Sequence, residues 1–243
     1  MSERPLSDFD LRAFLRTCQT LLADRVSDGS WTAFQKYLLL SGRAEFGLYL
    51  RQLKKLDAET HRAILDGFTN GQIESKLWLI EVLGHVLPAC PERTHILGSW
   101  FGLLGRMIAW MRPGFQRIDS YDLDPRWKAV ADFLAEPDHE ILFHRTRDMR
   151  EIDYADLKKE TRSLLVINTS CEHLEDFDGW FRSLPSGLLV ALQANDFEEP
   201  EEHHTIWKSV RDFGKSAPLE TVLYEGELQL LPYRRFMLIG VTA

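Results

Sequence analysis

Two stretches decide how this chain folds: Thr94-His-Ile-Leu-Gly-Ser-Trp-Phe-Gly-Leu-Leu-Gly105 and Ile118-Asp-Ser-Tyr-Asp-Leu-Asp-Pro125. In the first, a short apolar run, Thr94–Leu97, ends in a glycine-containing turn that opens a helical segment. Such a turn lets the backbone approach a ligand closely at a helix N-terminus. In the second, another short run, Ile118–Tyr121, ends in an acid, Asp122, 24 positions after Gly98. A carboxylate at the tip of a second strand can accept hydrogen bonds from both hydroxyls of a ribose. Strand, glycine turn, helix, strand, acid is the pattern of a nucleotide-binding βαβ unit.

The pattern continues outward on the C-terminal side. Further strands are read at Ile141–Phe143, Leu164–Ile167 and Leu188–Leu192, with helical segments between them. Alternating β and α elements argue a parallel sheet covered on both faces. The end differs, because Thr221–Leu231 and Arg234–Val241 are joined by a short turn at Pro232-Tyr233. That hairpin predicts a last strand running antiparallel to the rest. On the N-terminal side, before Pro88-Ala-Cys-Pro91, the pattern is helical. Asp57-Ala-Glu-Thr60 starts one segment, Thr69-Asn-Gly71 ends it, and a last helix spans about Glu74 to Leu87.

The 243 residues are 44% hydrophobic and 27% charged, an ordinary globular composition. The net charge is −8, and no basic run is present, which argues against a general nucleic-acid binder. No apolar stretch reaches the ~18 residues of a membrane span, since the run Ile96–Gly105 is cut by Arg106. The N-terminus has no apolar signal-peptide core, and Cys18, Cys90 and Cys171 are scattered. The expectation is a soluble cytoplasmic protein without disulfides.

With these motifs in place, the chain resembles the class I S-adenosylmethionine (SAM) methyltransferase superfamily over about residues 74–243. The family's first loop reads acid-x-Gly-x-Gly-x-Gly, and Ile96, Gly98, Trp100 and Gly102 stand at those positions. Asp122, in Tyr121-Asp122-Leu123-Asp124, matches the acid that holds the ribose. Arg147-Asp148-Met149 resembles the segment that contacts adenine, and Ile167-Asn-Thr-Ser-Cys-Glu-His-Leu174 resembles the segment lining the SAM and substrate pocket. The resemblance implies an α/β fold with a parallel sheet and an antiparallel last strand, a SAM-binding Rossmann-like domain over 74–243 and a helical N-terminal lid region over 1–73. It implies SAM as cofactor or sole substrate, a small-molecule partner and no metal. The SAM contacts it implies are Gly98, Ser99, Trp100, Gly102, Tyr121, Asp122, Leu123, Asp148, Met149, Asn168 and Thr169.

Several residues admit two readings. Trp100 replaces the family's middle glycine, and Ile96 its acid. Trp100 either faces the sulfonium, since aromatic faces attract cations, or packs under the N-terminal helices. Asn168 ends the fourth strand, where ligands of open α/β sheets bind. Cys171, Glu172 and His173 form a polar triplet, but consecutive residues point different ways, so all three cannot converge on one ion. Glu172 and His173, with Trp100 and Asn168, are the catalytic candidates. Gln193 and Asn195 stand at a pocket rim or in ordinary turn chemistry. His203-His204, in an acidic stretch, reads as a solvated loop. Trp31, Phe34 and Tyr37 share one helix face and form either core or a lid over the SAM pocket.

Three chemistries fit. Methyl transfer to a small molecule needs only alignment and exclusion of water, because the methyl is already activated. Alternatively, the altered first loop refolds the methionine tail, so that its amine attacks its own γ-carbon and yields azetidine-2-carboxylate and methylthioadenosine. Aminocarboxypropyl transfer belongs to the same alternative, and size and layout resemble the azetidine-2-carboxylate synthases. The third is a non-catalytic binding protein that keeps the fold.

Overall fold

The computed structural model describes residues 55–67, 69–112, 114–135, 140–198 and 203–243. Trp31, Phe34 and Tyr37 lie outside them. The strands that read as continuous apolar runs are buried on both faces. They are β1 (Arg93–Leu97), β2 (Ile118–Asp122), β4 (Leu164–Asn168) and β5 (Leu189–Asn195). With β3 (Leu142–Thr146), β6 (Leu219–Gln229) and β7 (Arg234–Thr242) they form one seven-stranded sheet of order β3-β2-β1-β4-β5-β7-β6.

The chain starts at β1 in the middle, walks out to β3, then crosses back to β4 and β5, all parallel. That reversal between β1 and β4 is the switch point where such sheets open a crevice. The hairpin expected at the end is present, with a difference of detail. Strand β7 inserts between β5 and β6, pairing antiparallel to both, so β7 alone runs against the sheet. Strand β6 is the largely exposed edge, and Glu225 and Glu227 lie on it, the kind of charge that discourages further strand pairing.

Helices α1 (Ala58–Asp66), α2 (Asn70–Val86), α3 (Leu103–Met111) and α4 (Pro125–Ala135) cover one face, burying Leu77, Ile80, Met107 and Leu134 against Ile96, Ile118, Ile167 and Met237. Helices α5 (Tyr154–Lys159), α6 (Phe177–Arg182) and α7 (Val210–Ser216) cover the other, where Phe177, Trp180 and Phe213 meet Val166, Val190 and Leu238. Successive strand residues face opposite layers, as Val166 and Ile167 do. Among the described residues, no helix is long and apolar enough to cross a membrane.

Helix α1 starts where expected, since Asp57 Oδ1 accepts the backbone N–H groups of Glu59 and Thr60. Helix α2 starts four residues earlier than the pattern predicts. Asn70 and Gly71, read as a helix end, are instead its first residues, and α2 runs through the expected division at 73/74. Gly71 is required there by packing, because a Cβ would meet Tyr233 Oη at 2.5 Å. Turn residues signal a break in the chain equally well at either end of a helix.

One polar cluster is built into the sheet itself. Asp119, fully buried on β2, accepts from Arg93 Nε at 3.0 Å and Arg117 Nε at 2.8 Å, beside the buried ring of His95 on β1. Burial opposes its ionisation, but the two guanidiniums win and hold the carboxyl down to about 2. Burial pushes the His95 imidazole down to about 4, against the pull of Asp119. The acid response therefore has two stages. Between pH 6.5 and about 4 the unfolded His95 binds a proton that the folded one refuses, which costs about 3 kcal/mol of stability. Below that, Asp119's contribution, complete above the unfolded carboxyl value, is lost as pH falls through about 2. Urea unfolding at pH 7 and pH 5 should show the first drop. His95→Phe should flatten most of it, leaving the smaller slopes of buried His144 and of Lys76.

Candidate functional site

Above the carboxyl ends of β1, β2 and β4 lies a cleft of about 1110 Å³. The loop after β1 forms its floor and holds three residues at positive φ, Gly98 at 58° and Trp100 at 53° on the wall and Gly102 at 79° behind it. Two are glycines, which accept this conformation freely. Trp100 takes it at a cost of about 1–2 kcal/mol. At Gly98 a Cβ would also press on Ser170 at 3.1 Å. The loop takes three left-handed residues in five positions although one of them is a tryptophan.

Asp122 holds this loop from β2. Its Oδ2 accepts the Trp100 N–H at 2.7 Å and its Oδ1 accepts the Asp124 N–H at 3.0 Å. Burial raises its carboxyl above the ordinary value, and these backbone donors offset only part of that. The Asp122 carbonyl accepts the Arg147 N–H, which brings the loop after β3 to the same place. There Asp148 caps a short turn and pairs with Arg150 at 2.6 Å, while Tyr154 donates to the Met149 carbonyl at 2.8 Å. Ser99, Tyr121, Leu123, Asp148, Met149 and Thr169 all line the cleft, with Gly98, Trp100 and Asp122.

Two expected contacts are set back from the wall. Gly102 begins α3 and faces His144 behind the loop, where a Cβ would meet Nε2 at 2.5 Å. Asn168 is fully buried, accepting the Ser170 N–H at 2.9 Å and donating to Met149 Sδ at 3.5 Å. Through these bonds it shapes the loop after β4. Gln193 is likewise internal, bridging to the Ser75 carbonyl of α2 at 3.0 Å.

Trp100 sits between the cleft and an aromatic cluster. It lines the cleft and stands edge-on to Phe101 and Trp127, at 5.1 and 5.6 Å between ring centroids. Phe101 reaches up to α1, where a Cβ on Gly67 would collide with its ring at 2.5 Å.

The other end of the cleft is polar and built from four elements. Glu172, 3% exposed, comes from the turn after β4, and its Oε1 accepts from Asn195 Nδ2 and Arg235 Nη1, the latter at 2.7 Å. Asn195 ends β5, and Arg235 begins β7 directly opposite it in register. Arg235 also donates to the Thr169 carbonyl. From α2, Lys76 points to this end, donating to Gln72 Oε1 at 2.5 Å. The cleft walls desolvate its ammonium and Arg235 repels it, which together bring it down to about 7.

His203 and His204 are not a merely solvated loop. The His204 and Thr205 N–H groups bond the Glu172 carbonyl at 2.8 and 3.2 Å, which lays this segment along the cleft. His203 meets His173 edge-on at 4.8 Å between ring centroids. Cys171, by contrast, turns into the core, so the triplet does separate as expected. Sequence reasoning missed Lys76, Tyr233 and Arg235. A charge entering an apolar strand was the available signal for Arg235; Lys76 offered none.

No known family model and no curated protein matches the sequence. Solved structures do match in shape. The 4+2 cyclase SpnF is 10% identical with a TM-score of 0.54, covering 71% of this chain and 83% of that one. A SAM-dependent methyltransferase from Clostridium acetobutylicum is 12% identical at 0.51, covering 69% and 91%. Magnesium protoporphyrin IX methyltransferase from Synechocystis, with SAM bound, is 14% identical at 0.50, covering 88% and 97%. The chain has the class I SAM-dependent methyltransferase fold.

The Lys76 titration is directly measurable. After reductive ¹³C-dimethylation, one lysine resonance should titrate with a midpoint near 7, far below the ordinary value, and should be missing in Lys76→Met. If every lysine resonance titrates near the ordinary value, the desolvated environment is wrong.

Proposed function

We propose that the chain binds SAM in this cleft and transfers its methyl group to a small-molecule acceptor. The observation that carries the reading is Asp122. It stands at the tip of β2, under the left-handed turn of Gly98 to Gly102, at one end of a cleft with a separate polar end. The adenosine would lie across Asp122, Leu123 and the Asp148–Met149 turn, with Ser99 and Thr169 toward the methionine half. The cleft of about 1110 Å³ is at the upper limit of single-ligand pockets, roughly 300–1,000 Å³, which leaves room for an acceptor beside SAM. Methyl transfer asks little covalent work of the protein. An acceptor oxygen or nitrogen forms a bond to the methyl carbon, the C–S bond breaks and its pair stays on sulfur. The acceptor's proton goes to a base, and Lys76, half neutral near pH 7, is able to take it. Glu172 and His173 would border the acceptor.

In this reading α1 and the start of α2 roof the cleft. Asp66, Gly67, Thr69 and Gln72 already border the cleft from that side.

A second reading keeps SAM but uses its γ-carbon. It is favoured by Trp100, whose indole lines the cleft where the family has a glycine, and it needs no second substrate. Incubation with SAM alone, followed by mass spectrometry, separates the two. Intact SAM with measurable binding fits methyl transfer, whereas methylthioadenosine with a cyclic four-carbon amino acid establishes the cyclisation. Asp122→Ala should weaken SAM binding at least tenfold in calorimetry under either reading. An unchanged affinity removes the assignment of Asp122, and absence of SAM binding by the unaltered chain leaves a non-catalytic protein that keeps the fold.

A further inference from the structure

Glu172, His173 and His203 each bring one donor atom into a group whose members all lie within 4.8 Å of one another. All three line the cleft. We propose that they form a binding site for a divalent transition-metal ion, facing the polar end of the cleft. The composition, two imidazoles and one carboxylate, suits zinc, iron(II), cobalt(II) or manganese(II) better than magnesium or calcium, which favour all-oxygen shells.

Three features of the surroundings match what a metal site requires. The first is the carboxylate. Glu172 Oε1 is taken by Asn195 and Arg235, but Oε2 is buried with no hydrogen-bond partner. An unpartnered buried carboxylate oxygen is costly, and an ion beside it removes that cost. Arg235 and Asn195 then hold the carboxylate by its other oxygen, as outer partners of metal-bound carboxylates do.

The second is the tautomer of His203. Its Nδ1 lies 2.7 Å from the Phe197 carbonyl, which can only accept, so Nδ1 carries the proton. Nε2 is left with a free lone pair, the form a metal ligand needs.

The third is placement. The loop carrying His203 is bonded through the His204 and Thr205 N–H groups to the carbonyl of Glu172 itself. Two ligands far apart in sequence are thereby locked to one backbone turn. Ligands on one such ion stand roughly 3–4 Å apart, so closing the shell from a spread of at most 4.8 Å takes only small side-chain adjustments.

Three protein ligands leave coordination positions open toward the cleft. An acceptor oxygen or nitrogen bound there would be fixed near the methyl and made easier to deprotonate. That use of the ion rests on the reading under Proposed function, whereas the ion site does not.

The test is titration of the chelator-stripped full chain with Co²⁺ and with Zn²⁺, followed by calorimetry and by the visible absorption of cobalt. SAM binding is measured on the same sample. The expected result is one ion per chain, with affinity falling at least tenfold in His203→Ala and in His173→Ala. Both variants change side chains at the cleft and leave the Glu172–Arg235 pair in place. Glu172→Gln keeps the shape and should also weaken the ion. No saturable binding, or binding that survives both histidine variants unchanged, overturns the site. If SAM binds and the ion does not, the metal proposal alone fails. If the ion binds and SAM does not, the site stands and the SAM reading falls.

Discussion

The site depends on one carboxylate. Asp122 accepts backbone N–H groups from the loops after β1 and β2, and its own carbonyl takes one from the loop after β3. Three loops that would otherwise close independently are thus referred to one residue at the tip of a buried strand. The arrangement explains how Trp100 stays at a φ of 53° that bulky residues avoid, since the Trp100 N–H is the group that Asp122 holds. The same carboxylate keeps lone pairs beyond the two it uses, so holding the loop and meeting a ribose are compatible roles.

The polar end of the cleft follows from sheet topology. In a wholly parallel sheet, the first residues of every strand lie at the face away from the ligand. Reversing β7 puts its first residues beside the carboxyl ends of β4 and β5. Arg235 thereby reaches Glu172 and Asn195, two residues from other strand ends. A buried pair of this kind is costly to desolvate and is stable only while its partners are satisfied. Glu172 Oε2 and Arg235 Nε are both left without hydrogen-bond partners, so the pair is incomplete on the side where a ligand would lie.

The roof shows how packing reassigns turn signals. Gly71 reads as a break in the chain, yet it and Gly67 are points of close approach, to Tyr233 and Phe101 respectively. Their lack of a side chain lets α1 and α2 settle over the cleft, which carries Gln72 and Lys76 into it.

The buried strands and the acid at the tip of β2 were legible in the sequence because they are local patterns. A buried parallel strand must be an apolar run, a left-handed turn favours glycine, and an acid at a strand tip stands at the ligand side of the sheet. Asp122 was picked out in this way, whereas Asp148 and Met149 came from the family resemblance alone; all three line the cleft. What tertiary structure decided is the meeting of residues that share no local pattern. Asn168 and Gly102 sit in the expected motifs but turn behind the cleft, because the hydrogen bonds of the β4 loop and the ring of His144 claim those positions. His203 reads as a solvated loop until its neighbours bond to the Glu172 carbonyl, 31 residues away in sequence. Lys76 looks like an ordinary helix-surface lysine, and only the walls around it and the charge of Arg235 lower its proton affinity. Desolvation and convergence are properties of a packed surface, and a linear pattern does not encode them.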